Sequence, residues 1–156
     1  MFDRIADSLT FTAAIGSGIV AGMFYAFSTF IMAALGKLPA ENGIAAMQSI
    51  NITVINPLFM LAFMGTGLVC LAIAIGAFWT GERLAPVAAA LYIVGCIGVT
   101  MACNVPLNDA LAGAQANTAE AAQLWSRYLR DWTFWNHVRT AASLLAAILL
   151  TVSLRA

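Results

Sequence analysis

Residues 9–35 read LTFTAAIGSGIVAGMFYAFSTFIMAAL, and no Asp, Glu, Lys, Arg or Pro interrupts them. The polar side chains within are small or amphipathic: Thr10, Thr12, Ser17, Tyr25, Ser28 and Thr29. A helix of about 20 such residues crosses a ~30 Å hydrocarbon layer. The alternation of a half-buried strand is missing. The preceding residues, Met1 to Asp7, are not net positive, and the run is far longer than the ~7–15 residues of a signal-peptide core. It reads as a retained first membrane span.

Three further runs are similarly apolar: Pro57 to Trp79, Leu84 to Cys103 with Pro86 in its first turn, and Phe134 to Leu154 with Arg139 near its start. Composition agrees. Of 156 residues, 62% are hydrophobic and 9% charged, with a mean hydropathy of +0.90. An average soluble domain has about 25% charged residues, so too few charges remain here to cover a soluble surface. The formal net charge of +0 removes the electrostatic basis for nucleic acid as a partner. The expectation is an all-α, multi-pass integral membrane protein surrounded by lipid. It is a single domain, residues 1–156, forming a four-helix bundle with spans near 9–35, 57–79, 84–103 and 134–154.

Residues 80–83 form a tight turn, so spans two and three are antiparallel neighbours. The longer connections, 36–56 and 104–133, then fall on one side of the membrane, with the termini and the tight turn on the other. Each long connection holds a short interfacial helix. Pro39-Ala40-Glu41 starts the first, with Pro in the first turn. Thr118 caps the second ahead of Glu120. Ala121, Trp125, Tyr128 and Trp132 recur at helical spacing, so this second helix is amphipathic and leads into span four along the interface. Trp125, Tyr128, Trp132 and Trp135 suit the headgroup belt. Lys37, Arg127, Arg130 and Arg139 on the long-loop side stand against Arg4, Arg83 and Arg155 on the other, which leaves orientation open. Gly18 and Gly22 form a GxxxG pair that serves either packing within the bundle or a homo-oligomer face. Cys70, Cys96 and Cys103 have neither disulfide nor metal spacing and read as apolar core residues.

Polar residues are costly inside a bilayer, so their clustering is informative. They gather on the long-loop side: Asn51 to Asn56 ahead of span two, Thr100, Asn104, Asn108 and Asp109 around the end of span three, and Trp132 to Thr140 at the start of span four. Each also has a plain structural reading. Asn56 before Pro57 fits a helix cap, Asn104 fits the end of span three, and Asn108 fits a cap for the next helix. At about 100° per residue, Thr133, Asn136, His137 and Thr140 share one arc, and Arg139 lies about 160° from His137. A pocket centred on Asn136 is expected, with either His137 or Arg139 reaching in. His137, the only histidine, would accept a proton if partly desolvated and neutral. Arg139 alternatively snorkels to the headgroups. One histidine rules out a histidine-rich metal site, no span contains the carboxylates of a di-metal centre, and nucleotide- and hydrolase-type motifs are missing. No metal or cofactor is expected.

Asn104-Val105-Pro106-Leu107-Asn108, followed by Trp125, Tyr128, Trp132 and then Trp135-Asn136-His137-x-Arg139-Thr140, resembles the anthrone oxygenase-like membrane family, much of which is a domain of unknown function. Met47-Gln48-x-Ile50-Asn51 and Asn56-Pro57 resemble it too, so the likeness spans nearly the whole chain. The resemblance implies a four-span helical membrane protein and, from characterised relatives, oxidation of anthrones to anthraquinones. Such a reaction can in principle run without metal or flavin, because the carbanion of an electron-rich anthrone reduces O₂ directly. It needs a base, donors for a developing oxyanion and an apolar pocket for a flat ring system. By position, Asn104, Asn108, Trp132, Asn136 and Arg139 match the family's motif. The expected roles are His137 as base, Asn136 and Arg139 as anion stabilisers, and Trp132 and Trp135 as aromatic walls. Asn104, Asn108 and Asn56 are expected to bind the substrate, an apolar aromatic small molecule. The alternative is a non-catalytic membrane protein that binds lipid or a partner, its polar cluster only tying helix ends together.

Overall fold

The structure, a computed structural model, describes residues 2–155; these are helical apart from short turns, with no strand among them. Helix α1 covers residues 2–35 and passes through a π-helical stretch at Phe27–Ile31. Helix α2 is Ala40–Thr53. Helix α3 covers residues 57–80, with π-helical turns at Leu61–Gly65. Helix α4, Leu84–Ala112, is π-helical over Leu91–Gly98 and Thr100–Asn104. Helix α5 is Ala119–Ser153.

The ends of these helices follow from local chemistry. Asn56 caps α3 by accepting the Phe59 N–H at 3.0 Å, with Pro57 in the first turn. Gly81 ends α3 in the left-handed conformation (φ +68°) that other residues rarely adopt. The Glu82 carboxylate accepts the first free N–H groups of α4, from Leu84 at 3.0 Å and Ala85 at 2.8 Å. Thr118 caps α5 through the Ala121 N–H at 3.2 Å.

Two expectations about boundaries change. The third apolar run does not stop at Cys103, because α4 continues through Asn104 and Pro106 to Ala112. The widened turns at Thr100–Asn104 fall where the Pro106 ring would otherwise meet the carbonyl four residues back. The amphipathic segment before residue 134 is likewise no separate helix at an interface. It is the first half of α5, and Trp125, Tyr128 and Trp132 are buried rather than placed in a headgroup belt. Helix α2 and the end of α4 fold over that aromatic stripe. Gln48 ties the two long connections together, its Nε2 donating to the carbonyls of Leu111 at 2.8 Å and Ala114 at 3.1 Å.

Packing divides into two apolar clusters. One lies among α1, α3, α4 and α5 and uses small residues (Ala13, Ala85, Ala88, Ala89, Ala146) around Phe24, Phe63, Tyr92 and Leu150. Small side chains let such helices approach closely. The other joins Met32, Ile44, Met47, Leu111, Trp125, Tyr128 and Trp132. Tyr92 donates to the Phe63 carbonyl at 3.0 Å, satisfying an oxygen inside the π-helical stretch of α3. The outer face carries Phe11, Ile19, Phe30, Leu58, Leu61, Phe78, Val94 and Phe134, all more than half exposed. An apolar exterior of this extent fits lipid contact. Among the described residues, three helices are long and apolar enough to cross a membrane: Arg4–Leu35, Pro57–Phe78 and Leu84–Ala112. The fourth expected span lies within α5, where Asn136, His137 and Arg139 lower its apolar character. Gly18 and Gly22 are exposed with open space around them, so neither packs within the chain.

Packing requires several glycines, among them Gly16 against Thr66, Gly95 against Ala142 and Gly43 against Trp125. A Cβ at Gly43 would lie 2.8 Å from Trp125 Cζ2 and 3.0 Å from the Leu35 carbonyl. Gly43→Ala should therefore destabilise the protein by about 1–3 kcal/mol. Gly18→Ala, which meets nothing within 4 Å, should be neutral or stabilising by up to ~1 kcal/mol. Thermal unfolding of both variants in detergent checks the pair.

Candidate functional site

Between the two apolar clusters lies a polar layer built on the start of the apolar half of α5. Asn136 is completely buried. Its Nδ2 donates to the Phe24 carbonyl at 2.8 Å and to Ser28 Oγ at 2.7 Å, and its Oδ1 accepts Arg139 Nε at 2.9 Å. Thr140 donates to the Asn136 carbonyl at 2.6 Å, which leaves the Ser28 hydroxyl as donor across the 3.1 Å contact to Thr140 Oγ1. The amide of Asn136 is thus oriented from both ends, and α1 is fastened to α5.

Arg139 is 5% exposed. Its Cζ stands 3.9 Å from the Phe24 ring centroid and 4.8 Å from that of Trp132, within cation–π range. Nε serves Asn136 and Nη1 donates to Thr100 Oγ1 at 3.3 Å. Among the described residues no carboxylate pairs with this guanidinium and Nη2 makes no hydrogen bond. A buried cation in this condition holds the electrostatic potential for an anion.

Arg139 borders a cavity of about 240 Å³. Its walls come from five helices: Phe24 and Phe27 of α1, Met47 and Asn51 of α2, Phe59 and Phe63 of α3, Thr100 and Asn108 of α4, and Trp132 and Arg139 of α5. The lining is mostly apolar with a few convergent polar groups, the usual make-up of a small-molecule site. The volume is below the ~300 Å³ at which drug-sized pockets begin, which favours a compact occupant. Asn108 Oδ1 accepts from Tyr128 Oη at 2.7 Å and from Trp132 Nε1 at 2.8 Å, fixing the indole that forms one wall. Burial pushes the Tyr128 phenol well above its ordinary range, so it stays a neutral donor to Asn108. Trp125, Tyr128 and Trp132 stack in succession, with centroid separations of 5.6 and 5.9 Å. A larger cleft, about 580 Å³, lies between Asp109, Gln115 and Arg127. It is lined by no polar side chain that is buried.

The structure therefore brings together Asn136 and Arg139 in the polar layer, and Asn108, Trp132 and Arg139 at the cavity. Asn104 stands behind Trp132, its Nδ2 donating to the Trp132 carbonyl at 3.1 Å, while its buried Oδ1 has no partner among the described residues. Three expected site residues fall elsewhere. His137 is exposed on the outer side of α5, because one residue's rotation from Asn136 turns it away from the cavity. Trp135 packs edge-on against the exposed Phe134, with centroids 5.1 Å apart, and is not a cavity wall. Asn56 is spent on capping α3. Of the two residues flanking Asn136, Arg139 is the one that reaches inward. Phe24, Ser28, Met47, Asn51 and Thr140 complete the site without having been singled out for it. Asn51 and Thr140 carried a signal as polar residues beside spans, whereas Phe24 and Met47 are indistinguishable in sequence from ordinary core.

The family model described as anthrone oxygenase matches residues 58–149, more than half of the chain. That match includes Asn104, Asn108, Trp132, Asn136 and Arg139, while the α1 and α2 walls of the cavity lie outside it. No curated protein and no solved structure matches the chain.

Replacing Asn136 tests the polar layer. Asn136→Ala removes three side-chain hydrogen bonds and strips Arg139 Nε of its acceptor. A loss of about 2 kcal/mol is expected, since buried polar contacts are costly to leave half-made even though single bonds between membrane helices average ~0.6 kcal/mol. Unfolding in detergent should show it, and Ser28→Ala should lose less.

Proposed function

The chain belongs to the anthrone oxygenase family, and on that premise we propose that it is a multi-pass, four-helix transmembrane bundle that oxygenates an anthrone-like or other polycyclic phenolic or quinone-type substrate. The substrate lies in the cavity beside Trp132 with its oxygen at Arg139. The observation that carries this reading is the buried guanidinium of Arg139, edged by aromatic rings and without a carboxylate partner among the described residues. α5 supplies the fourth span, its polar opening shielded by α1 and α4 rather than exposed to lipid.

Loss of a proton from the ring methylene of an anthrone places negative charge on the carbonyl oxygen across the central ring. No carboxylate or imidazole among the described residues lines the cavity. The proton therefore leaves to water, and Arg139 lowers the substrate's own pKa by stabilising the oxyanion. The delocalised carbanion passes one electron to O₂. The resulting superoxide and ring radical join as a peroxide at the former methylene carbon, which takes up a proton. Loss of the remaining C–H proton with O–O cleavage leaves a second carbonyl and water. One anthrone and one O₂ give one anthraquinone and one water. Phe24, Phe27 and Trp132 hold the ring system, and Asn108 and Asn136 act one step back, by positioning Trp132 and Arg139. The scheme uses no metal or flavin, so turnover should withstand chelators.

A second reading, a non-catalytic protein that binds an acidic lipid at Arg139, is favoured by that same lack of a proton acceptor at the cavity. Oxygen uptake with anthrone, followed in detergent or nanodiscs, separates the two. For the oxygenase, Arg139→Met should lower kcat/KM by about 10²–10³, the usual cost of an oxyanion donor, and His137→Ala should stay within about twofold of wild type because His137 faces outward. Anthrone binding without oxygen uptake in the wild type would overturn the oxygenase reading, and displacement of that anthrone by an acidic lipid, lost in Arg139→Met, would support the second.

A further inference from the structure

The cavity has a rim whose chemistry differs from its interior. The polar groups of its wall are partly or wholly buried: Asn51, Thr100, Asn108 and Arg139. The lining residues that are exposed are all apolar: Ile55 at 71%, Met60 at 36%, Met64 at 41% and Met101 at 59%. Met60 and Met64 lie on the first turns of α3, and Met101 on α4. Met64 is seven residues beyond Pro57, so it stands on the order of 10 Å from the start of α3. Met64 and Met101 both fall within segments long and apolar enough to cross a membrane. The part of the opening between Met60, Met64 and Met101 faces acyl chains, whereas Ile55, in the turn ahead of α3, borders it on the side of the long connections, where water takes up the substrate's proton. Methionine suits such a border, because its three rotatable bonds and lack of branching let it move aside and refill a gap at little cost.

We propose that the cavity is loaded sideways from the bilayer, through a portal between α3 and α4 framed by Met60, Met64 and Met101. This route defines the ligand class. The ligand dissolves in lipid and travels uncharged, with a flat apolar body and an acidic oxygen that meets Arg139 only after it is inside. Glycosylated, sulfated or otherwise hydrophilic conjugates of the same ring system are excluded by the route as well as by the small volume of the cavity. The portal also gives O₂, which concentrates in hydrocarbon, the same path to the site.

The inference rests on the membrane-spanning reading but not on the oxygenase chemistry, and its test needs no substrate. A cysteine is placed on the cavity wall as Ile50→Cys, with Val54→Cys as a second position, in full-length protein carrying Cys103→Ala and reconstituted in nanodiscs. Each is treated with N-phenylmaleimide and with its sulfonated counterpart, and rates are normalised to those with a free thiol. The neutral reagent should react at least tenfold faster. Met64→Trp together with Met101→Trp, both at exposed positions, should slow it at least fivefold. Equal normalised rates for the two reagents, or no effect of the tryptophans at either cysteine, would overturn the portal. Failure of the membrane reading itself shows separately, as release of the wild-type chain from vesicles by alkaline carbonate.

Discussion

Everything near the cavity depends on how Arg139 is held. A guanidinium with 5% exposure in an apolar surrounding is expensive, and without a carboxylate it needs other compensation. Three sources supply it. Asn136 and Thr100 accept two of its N–H groups, and the rings of Phe24 and Trp132 present their electron-rich faces. Each of these partners is itself fixed by another element. Asn136 is bound to α1, and Trp132 is held by Asn108 of α4 and supported from behind by Asn104. The cation is thus tolerated by the fold but not neutralised by it, which leaves a free edge where a ligand's negative charge is worth most.

The two-cluster organisation explains why the site sits where it does. Below it, small residues let four helical segments approach closely around Phe63 and Tyr92. Above it, α2 and the end of α4 cover the aromatic stripe of α5. The cavity occupies the level at which one packing scheme gives way to the other. The π-helical stretches at Phe27–Ile31, Leu61–Gly65 and Thr100–Asn104 all contribute residues to that level. A π-helical turn displaces side chains from the α-helical spacing and frees carbonyls, and such turns recur at functional sites. Here Tyr92 and Asn136 take up the carbonyls of Phe63 and Phe24.

Much of the site was legible from single residues, because an amide or guanidinium in an apolar run must be compensated. Asn136, Arg139, Asn104 and Asn108 stood out for that reason and lie together. His137 stood out on the same ground and lies apart. Its misplacement comes from the ideal-helix projection, which puts Asn136 between the two, about 60° from Arg139 and 100° from His137, and so leaves either neighbour able to reach a pocket there. Trp125 and Tyr128 illustrate a second limit. An aromatic stripe at helical spacing has the same signature whether it faces headgroups or a covering helix, and only the return of α2 over α5 makes it core.

The sequence by itself determined the helical class, the apolar exterior, the helix caps at Asn56 and Thr118, and the end of the molecule at which polar groups gather. These follow from local chemistry and from the solvent that so few charges imply. The tertiary structure decided which polar residues face one another, because a rotation of one residue along a helix moves a side chain by about 100°. That angle separates Asn136, buried between α1 and α5, from His137 on the outer surface, while Arg139 reaches between Phe24 and Trp132. The site also required α1 and α2, whose Phe24, Met47 and Asn51 close the cavity from positions distant in the chain. A cavity wall is a property of several helices packed together, and no one of them encodes it alone.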